Sequence, residues 1–398
     1  MSEGIFTWNA NGTNYLNSLT MTGIFFNASG TYRNDASISA NSFTATNGVF
    51  TPIEPFVYPN RAENFDMRVP GDLLTNATGY REPRKYINST DGGADLTNLI
   101  PNAVFAHTFG TPPAPPAGDY GFRAEGLNGA IAVDSRKNSF YLHPQSNGAF
   151  IRSATVSSLP STTDLNQYTQ PTAPNILFGQ DFDFPPLVFV TSTTGPIAMN
   201  YMARNGSGKF YGMSVVAQSS IINQGGVNGV GAFQSNTYSF NYFLVSPEIP
   251  AYNPVDPYGV QVFNENGGKI FDSSYFEPSI NYIAGSKPTF KIESSAYQFT
   301  SLSLSKSSNQ GVCLNNFIVG TGHTWYATQL IVTGIGIGPS TVAGRFLTVS
   351  STSATVAGGG AFAITCYEAT GNNSFFKSFD YTLGVAPQIT FLTATYPI

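Results

Sequence analysis

One frame recurs three times along the chain and limits what it can fold into. Residues 121–135 read GFRAEGLNGAIAVDS, residues 259–273 read GVQVFNENGGKIFDS, and residues 4–18, GIFTWNANGTNYLNS, align with both without a gap. Each copy opens on a glycine (Gly4, Gly121, Gly259) and carries an Asn-Gly pair at Asn11-Gly12, Asn128-Gly129 and Asn266-Gly267. Each closes on Asn17-Ser18, Asp134-Ser135 or Asp272-Ser273. Asn-Gly admits positive φ at both central residues of a type I′ turn, whose twist matches the flanking strands. Before the turn, Ile5, Phe122 and Val260 share a strand face with Thr7, Ala124 and Val262; after it, Leu16, Val133 and Phe271 hold one apolar position. The closing Asn/Asp-Ser bonds its own backbone and stops the strand. The frame predicts a β-hairpin at each site.

The copies begin one small domain apart. Pro-rich stretches precede two of them: TPPAPPAGDY at 111–120 and PEIPAYNPVDPY at 247–258, each running into Tyr-Gly. Such stretches stiffen into extended connections and seldom sit inside a sheet. Apolar or alternating runs follow the second hairpin at 185–192, 209–220 and 239–248, and the third at 324–338, 344–352 and 361–369. These patterns predict an all-β protein of three tandem β-sandwich-like modules, 1–111, 119–248 and 258–398, with little helix. The first module departs from the others after its hairpin. Its residues 30–111 gather charges, REPRK at 81–85 among them, with many Pro and Asn. That segment reads either as solvated loops or as a docking region ordered against a partner.

Only 10% of residues are charged and the net charge is −5, against a usual charged share of about 25%. No Lys/Arg run is present, which argues against nucleic acid. No apolar run approaches the roughly 20 residues of a spanning helix, so no membrane insertion is expected. The N-terminus MSEGIFTWNANG lacks the layout of a secretory signal, which predicts synthesis in a cytosol. Cys313 and Cys366 are then expected as free, buried thiols.

Nucleophilic catalysis needs a base, usually His. His107, His143 and His323 stand without a G-x-S-x-G elbow and are expected as hydrogen-bonded residues at strand ends or in loops. Asp181 and Asp183 in GQDFDFP face one way on a strand, but no further calcium ligands cluster with them. NGSGKFYG at 205–212 lacks the Gly-Lys-Ser/Thr ending of a phosphate loop. No catalytic residue, cofactor or metal is expected. Trp8, Tyr15, Trp325 and Tyr326 are read first as core or interface residues. Trp325 and Tyr326 are the candidates for a glycan contact.

The stretch YGVQVFNENGGKIFDSSY, 258–275, resembles a module of tailed-bacteriophage virion proteins in which a segment like GLxVxNxxGxxxFDS opens a small β domain. Residues 120–142 share the likeness, and 4–26 do so loosely. The resemblance implies a non-enzymatic structural protein of the virion, tail-associated (tail tip, tail tube or fibre base). It would be made in the host cytoplasm and packed against other virion proteins as a homo-oligomer. The alternatives are a host-glycan-binding adhesin or receptor-binding protein, and a capsid decoration protein.

Overall fold

The alternating and apolar runs become antiparallel strands, and no helix occurs among the described residues. The computed structural model describes residues 25–32, 48–53, 67–69, 74–76, 79–81, 85–87, 104–110, 123–125, 131–134, 140–160, 173–221, 233–251, 261–263, 267–272, 274–275, 278, 280–284, 290–293, 296–299, 302–315, 317, 319–325, 337–367 and 390–396. The hairpin at 4–18, with Asn11, Gly12, Asn17 and Ser18, lies outside them. So do Asn128, Gly129, Ser135, Asn266, Ser273 and Tyr326.

Two seven-stranded sheets form the centre of the fold. The first runs Tyr141–His143, Thr237–Ser246, Leu187–Thr193, Gln310–Cys313, Thr390–Thr395, Ile280–Ala284, with Arg152–Ser157 also on strand 237–246. The second runs Ile176–Phe182, Phe210–Ala217, Ile197–Arg204, Ile337–Val349, Ser353–Tyr367, Leu302–Ser305, with Val319–Trp325 also on strand 337–349. Both sheets take strands from either side of the Pro-rich stretch 247–258. Residues 119–248 and 258–398, expected as neighbouring modules, therefore share their sheets. The pattern of apolar strands is local, but which strand completes which sheet depends on long-range pairing that no linker composition reveals.

Val188, Val190, Tyr242 and Leu244 of the first sheet meet Phe178, Phe182, Met199, Met213 and Leu347 of the second in one buried cluster. The other face of the first sheet is also covered: Leu187, Phe189, Phe243, Val245, Leu392 and Ala394 form a second cluster. Strand 187–193 thus reads LVFV with both parities buried, the run expected of a strand covered on two sides. The N-terminal region supplies part of the cover. Strands Phe25–Tyr32, Val104–Gly110 and Gly48–Pro52 make a three-stranded sheet; Val49 of the last strand joins the second cluster, and Ile53, just beyond it, the first.

Phe189 and Phe243 stack with ring centroids 5.3 Å apart and 13° between planes. Gly311 lies against them, and a Cβ there would sit 2.7 Å from Phe243 Cε1 and 2.8 Å from Phe189 Cβ. Neither group has room to withdraw from a packed core, so Gly311→Ala is expected to cost about 1–3 kcal/mol. A thermal melt would register this as a lower midpoint; an unchanged midpoint would mean that the ring pair yields.

The two described openers share one ladder. Arg123 pairs with Asp134, Ala124 with Val133 and Glu125 with Ile131; Gln261 pairs with Asp272, Val262 with Phe271 and Phe263 with Lys269. These are the same frame positions, and the register shifts at the same step in both. The last described pairs are Glu125–Ile131 and Phe263–Lys269. Gly267, between the latter two, takes φ 76°, a left-handed conformation that glycine adopts without a Cβ penalty. At the far end, Asp272 Oδ1 accepts the Ser274 N–H (3.1 Å), while Oδ2 accepts from Lys269 Nζ (2.7 Å) and Gln261 Nε2 (2.8 Å).

Candidate functional site

His143 sits in a developed polar setting. The segment YLHPQSNGAFIRSATVS turns between strands 141–143 and 152–157 through Asn147-Gly148. Gly148 takes φ 81°, and Asn147 Oδ1 accepts the Ala149 N–H (3.0 Å). This short loop brings His143 beside Arg152, and both side chains lie inside the edge of the sandwich.

His143 is 2% exposed and Ser246 is fully buried. Gln180 Nε2 lies 2.8 Å from His143 Nδ1, and Ser246 Oγ lies 3.1 Å from Nε2. Phe182 meets the imidazole edge-on, ring centroids 4.8 Å apart. The ring therefore bridges the sheets, Ser246 belonging to the first and Gln180 and Phe182 to the second. Arg152 repeats the bridge. Its guanidinium donates to Phe178 O in the second sheet, and to His143 O (3.4 Å) and Pro144 O (3.2 Å) beside the first. Its Nε has no partner among the described residues. Burial holds the His143 pKa down to about 3; a backbone bond at Glu248 opposes this, and the Arg152 charge reinforces it.

A Ser-His pair at this distance invites comparison with a nucleophile and its base. A base must accept the serine proton. Here the Gln180 amide donates to Nδ1, which leaves the imidazole proton on Nε2, directed at Ser246 Oγ. Ser246 Oγ also accepts the Glu248 N–H (2.9 Å). The serine is thus an acceptor twice over, and neither it nor the histidine reaches solvent. The arrangement ties the two sheets together through buried polar contacts.

No protein-family model, curated protein or solved structure matches the chain.

The remaining candidates are dispersed. His107 lies within strand 104–110 opposite Ser29 and Val49, and His323 within strand 319–325 opposite Val342. Asp181 Oδ2 accepts from Asn205 Nδ2 (2.8 Å), whereas Asp183 pairs with Lys209 (3.0 Å). Among the described residues no three His, Cys, Asp or Glu side chains gather as a metal group would require. The Gly-rich stretch at 205–212 turns strand 197–204 into strand 210–217, with Asn205 Oδ1 accepting the N–H groups of Ser207 and Lys209 (both 3.0 Å). Cys313 is a free, buried thiol whose pKa burial pushes up to about 12, which keeps it protonated and unreactive. Trp325 ends strand 319–325, its backbone opposite Ser340.

Sequence reasoning missed Arg152, Gln180, Ser246 and Asn315 as a group. The available signals were single polar residues inside apolar runs: Arg152 in FIRSATV and Asn315 in GVCLNNF. Asn315 is fully buried and uses both ends of its amide. Nδ2 donates to Thr51 Oγ1 (2.8 Å) and Pro186 O (3.1 Å), and Oδ1 accepts from Val188 N (2.8 Å) and Cys313 Sγ (3.4 Å). One side chain thereby joins the N-terminal region to both later parts of the chain.

Proposed function

We propose that the protein is a non-enzymatic structural component of a tailed-phage virion, tail-associated and present in multiple copies against other virion proteins. The observation that carries this reading is the opener itself. The segment that resembles the virion module, 258–275, and its counterpart at 120–142 form hairpins of one register. The polar groups suit the same role, since His143, Arg152 and Asn315 are committed to joining sheets and segments. Three hairpin-opened modules, the later two fused through shared sheets, would give a stiff block, and residues 1–111 would supply the docking region.

The test is to purify particles of the encoding phage, search them by mass spectrometry and place the chain in an electron-microscopy map. Several copies per particle at the tail are expected. Density on the capsid would move the protein to the decoration class. Absence from particles, together with binding to a host glycan that Trp325→Ala abolishes, would replace the reading with the adhesin.

A further inference from the structure

The two sheets contain the same unit twice. After the opener at 123–134, the chain makes strand 141–143 at the edge of the first sheet and strand 176–182 at the edge of the second. It then places 187–193 at the centre of the first and 197–204 at the centre of the second. Strand 210–217 follows in the middle position of the second sheet, and 237–246 in the middle position of the first. After the opener at 261–272, strands 280–284, 302–305, 310–313, 337–349, 353–367 and 390–395 occupy the same six places in the same order. Among the described residues the halves differ by additions such as strand 152–157 in one and 319–325 in the other.

They meet centre to centre. Strand 187–193 pairs antiparallel with its counterpart 310–313, and strand 197–204 with its counterpart 337–349. Reading outward from the junction, each sheet runs centre, middle, edge in both directions, as a two-fold axis between the central strands generates. This is the geometry of an isologous contact, in which one surface meets its own copy. Backbone and side chain both cross it. Leu314 N donates to Val188 O (2.8 Å), Met199 N to Phe317 O (2.7 Å) and Val349 N to Thr193 Oγ1 (3.0 Å). One buried cluster spans the junction, with Val188, Val190 and Met199 from one half against Val312, Leu314 and Leu347 from the other. The second opener also leaves its own half. Asp272 N donates to Tyr141 Oη (3.1 Å), and Tyr275 meets the Tyr141 ring edge-on at 6.1 Å.

We infer that the surface formed by strands 187–193 and 197–204 is a dimerisation face whose partner is the second half of the same chain, so that residues 119–398 are a fused dimer of one module. In each half, the edge of the central strands that its own half leaves unpaired is taken up by the other. The inference stands on strand order and pairing alone, independently of any virion.

Cutting the chain between the halves tests it. A protease site placed after Ala251, which is exposed, yields pieces 1–251 and 252–398; the same pieces co-expressed from separate genes give the second measurement. The cut protein is expected to elute in native buffer at the 42.5 kDa of the intact chain. It should melt in one transition, below that of the uncut chain and rising with protein concentration, because unfolding has become dissociation. Pieces that elute separately without denaturant, or that melt at two temperatures indifferent to each other's presence, would overturn the inference.

Discussion

Replacing Asn315 by Leu is expected to remove about 4 kcal/mol of stability, taking roughly 1–2 kcal/mol for each buried group left without a partner. Leucine matches the volume but strands the Val188 N–H, the Pro186 carbonyl and the Thr51 hydroxyl, all bonded by the one amide. The Val188 bond matters most, because there the Asn315 carbonyl oxygen continues the ladder between strands 187–193 and 310–313 just where backbone pairing ends. Urea titration would show the loss as a lower midpoint at unchanged slope. Thr51→Val alone should cost about 1 kcal/mol, but should be neutral to mildly stabilising once Asn315 is already leucine, since it then removes the hydroxyl that leucine leaves unpaired. A full additional cost from Thr51→Val in that background would show that residues 48–53 do not dock through Asn315.

The second large effect is acid lability centred on His143. The folded chain holds this imidazole neutral down to about pH 3, whereas the unfolded chain protonates it near 6.5. Above pH 6.5 both states carry neutral imidazole and the residue adds no pH dependence. As pH falls below 6.5 the unfolded chain binds a proton that the fold refuses, so stability drops at up to ~1.4 kcal/mol per pH unit until about pH 3. The accumulated loss is on the order of 4–5 kcal/mol. Burial is the main cause, and the Arg152 charge adds repulsion to a second positive charge; the backbone group at Glu248 offsets part of this, and Gln180 and Ser246 complete the ring's polar neighbours. His143→Gln removes the titration while keeping an amide in reach of both partners. The variant should be less stable than the wild type at pH 7.5 yet lose less on acidification, and chemical denaturation at a series of pH values would separate the two slopes. Parallel slopes would show that His143 is not the group that titrates.

How much of this was legible beforehand differs from element to element. The openers at 121–135 and 259–273 were visible because glycine, asparagine and alternating apolar residues act within about fifteen positions of one another, and their shared frame reappears as a shared register. The apolar runs at 185–192, 209–220 and 239–248 appear as strands 187–193, 210–217 and 237–246, since a buried strand needs little more than length and β-branched or aromatic residues. Gly267 takes the positive φ that Asn-Gly tolerates, a local preference, whereas the register shift beside it is set by the pairing around it.

The Pro-rich stretch at 247–258 misled in a different way. Composition marks where a chain leaves one sheet but not which sheet it next enters, so two openers and a linker suggested neighbours where the structure has halves of one pair. Arg152, His143 and Asn315 were opaque for the same reason. Each looks like a stray polar residue until the other sheet or segment supplies its carbonyl, amide or hydroxyl. Taken alone, the sequence determined the all-β character of the described residues and where the hairpins at 123–134 and 261–272 open, because turn chemistry and strand periodicity are short-range. Only the tertiary structure decided that the repeats meet through their central strands and that the polar residues lock them, because pairing and desolvation depend on groups far apart in the sequence.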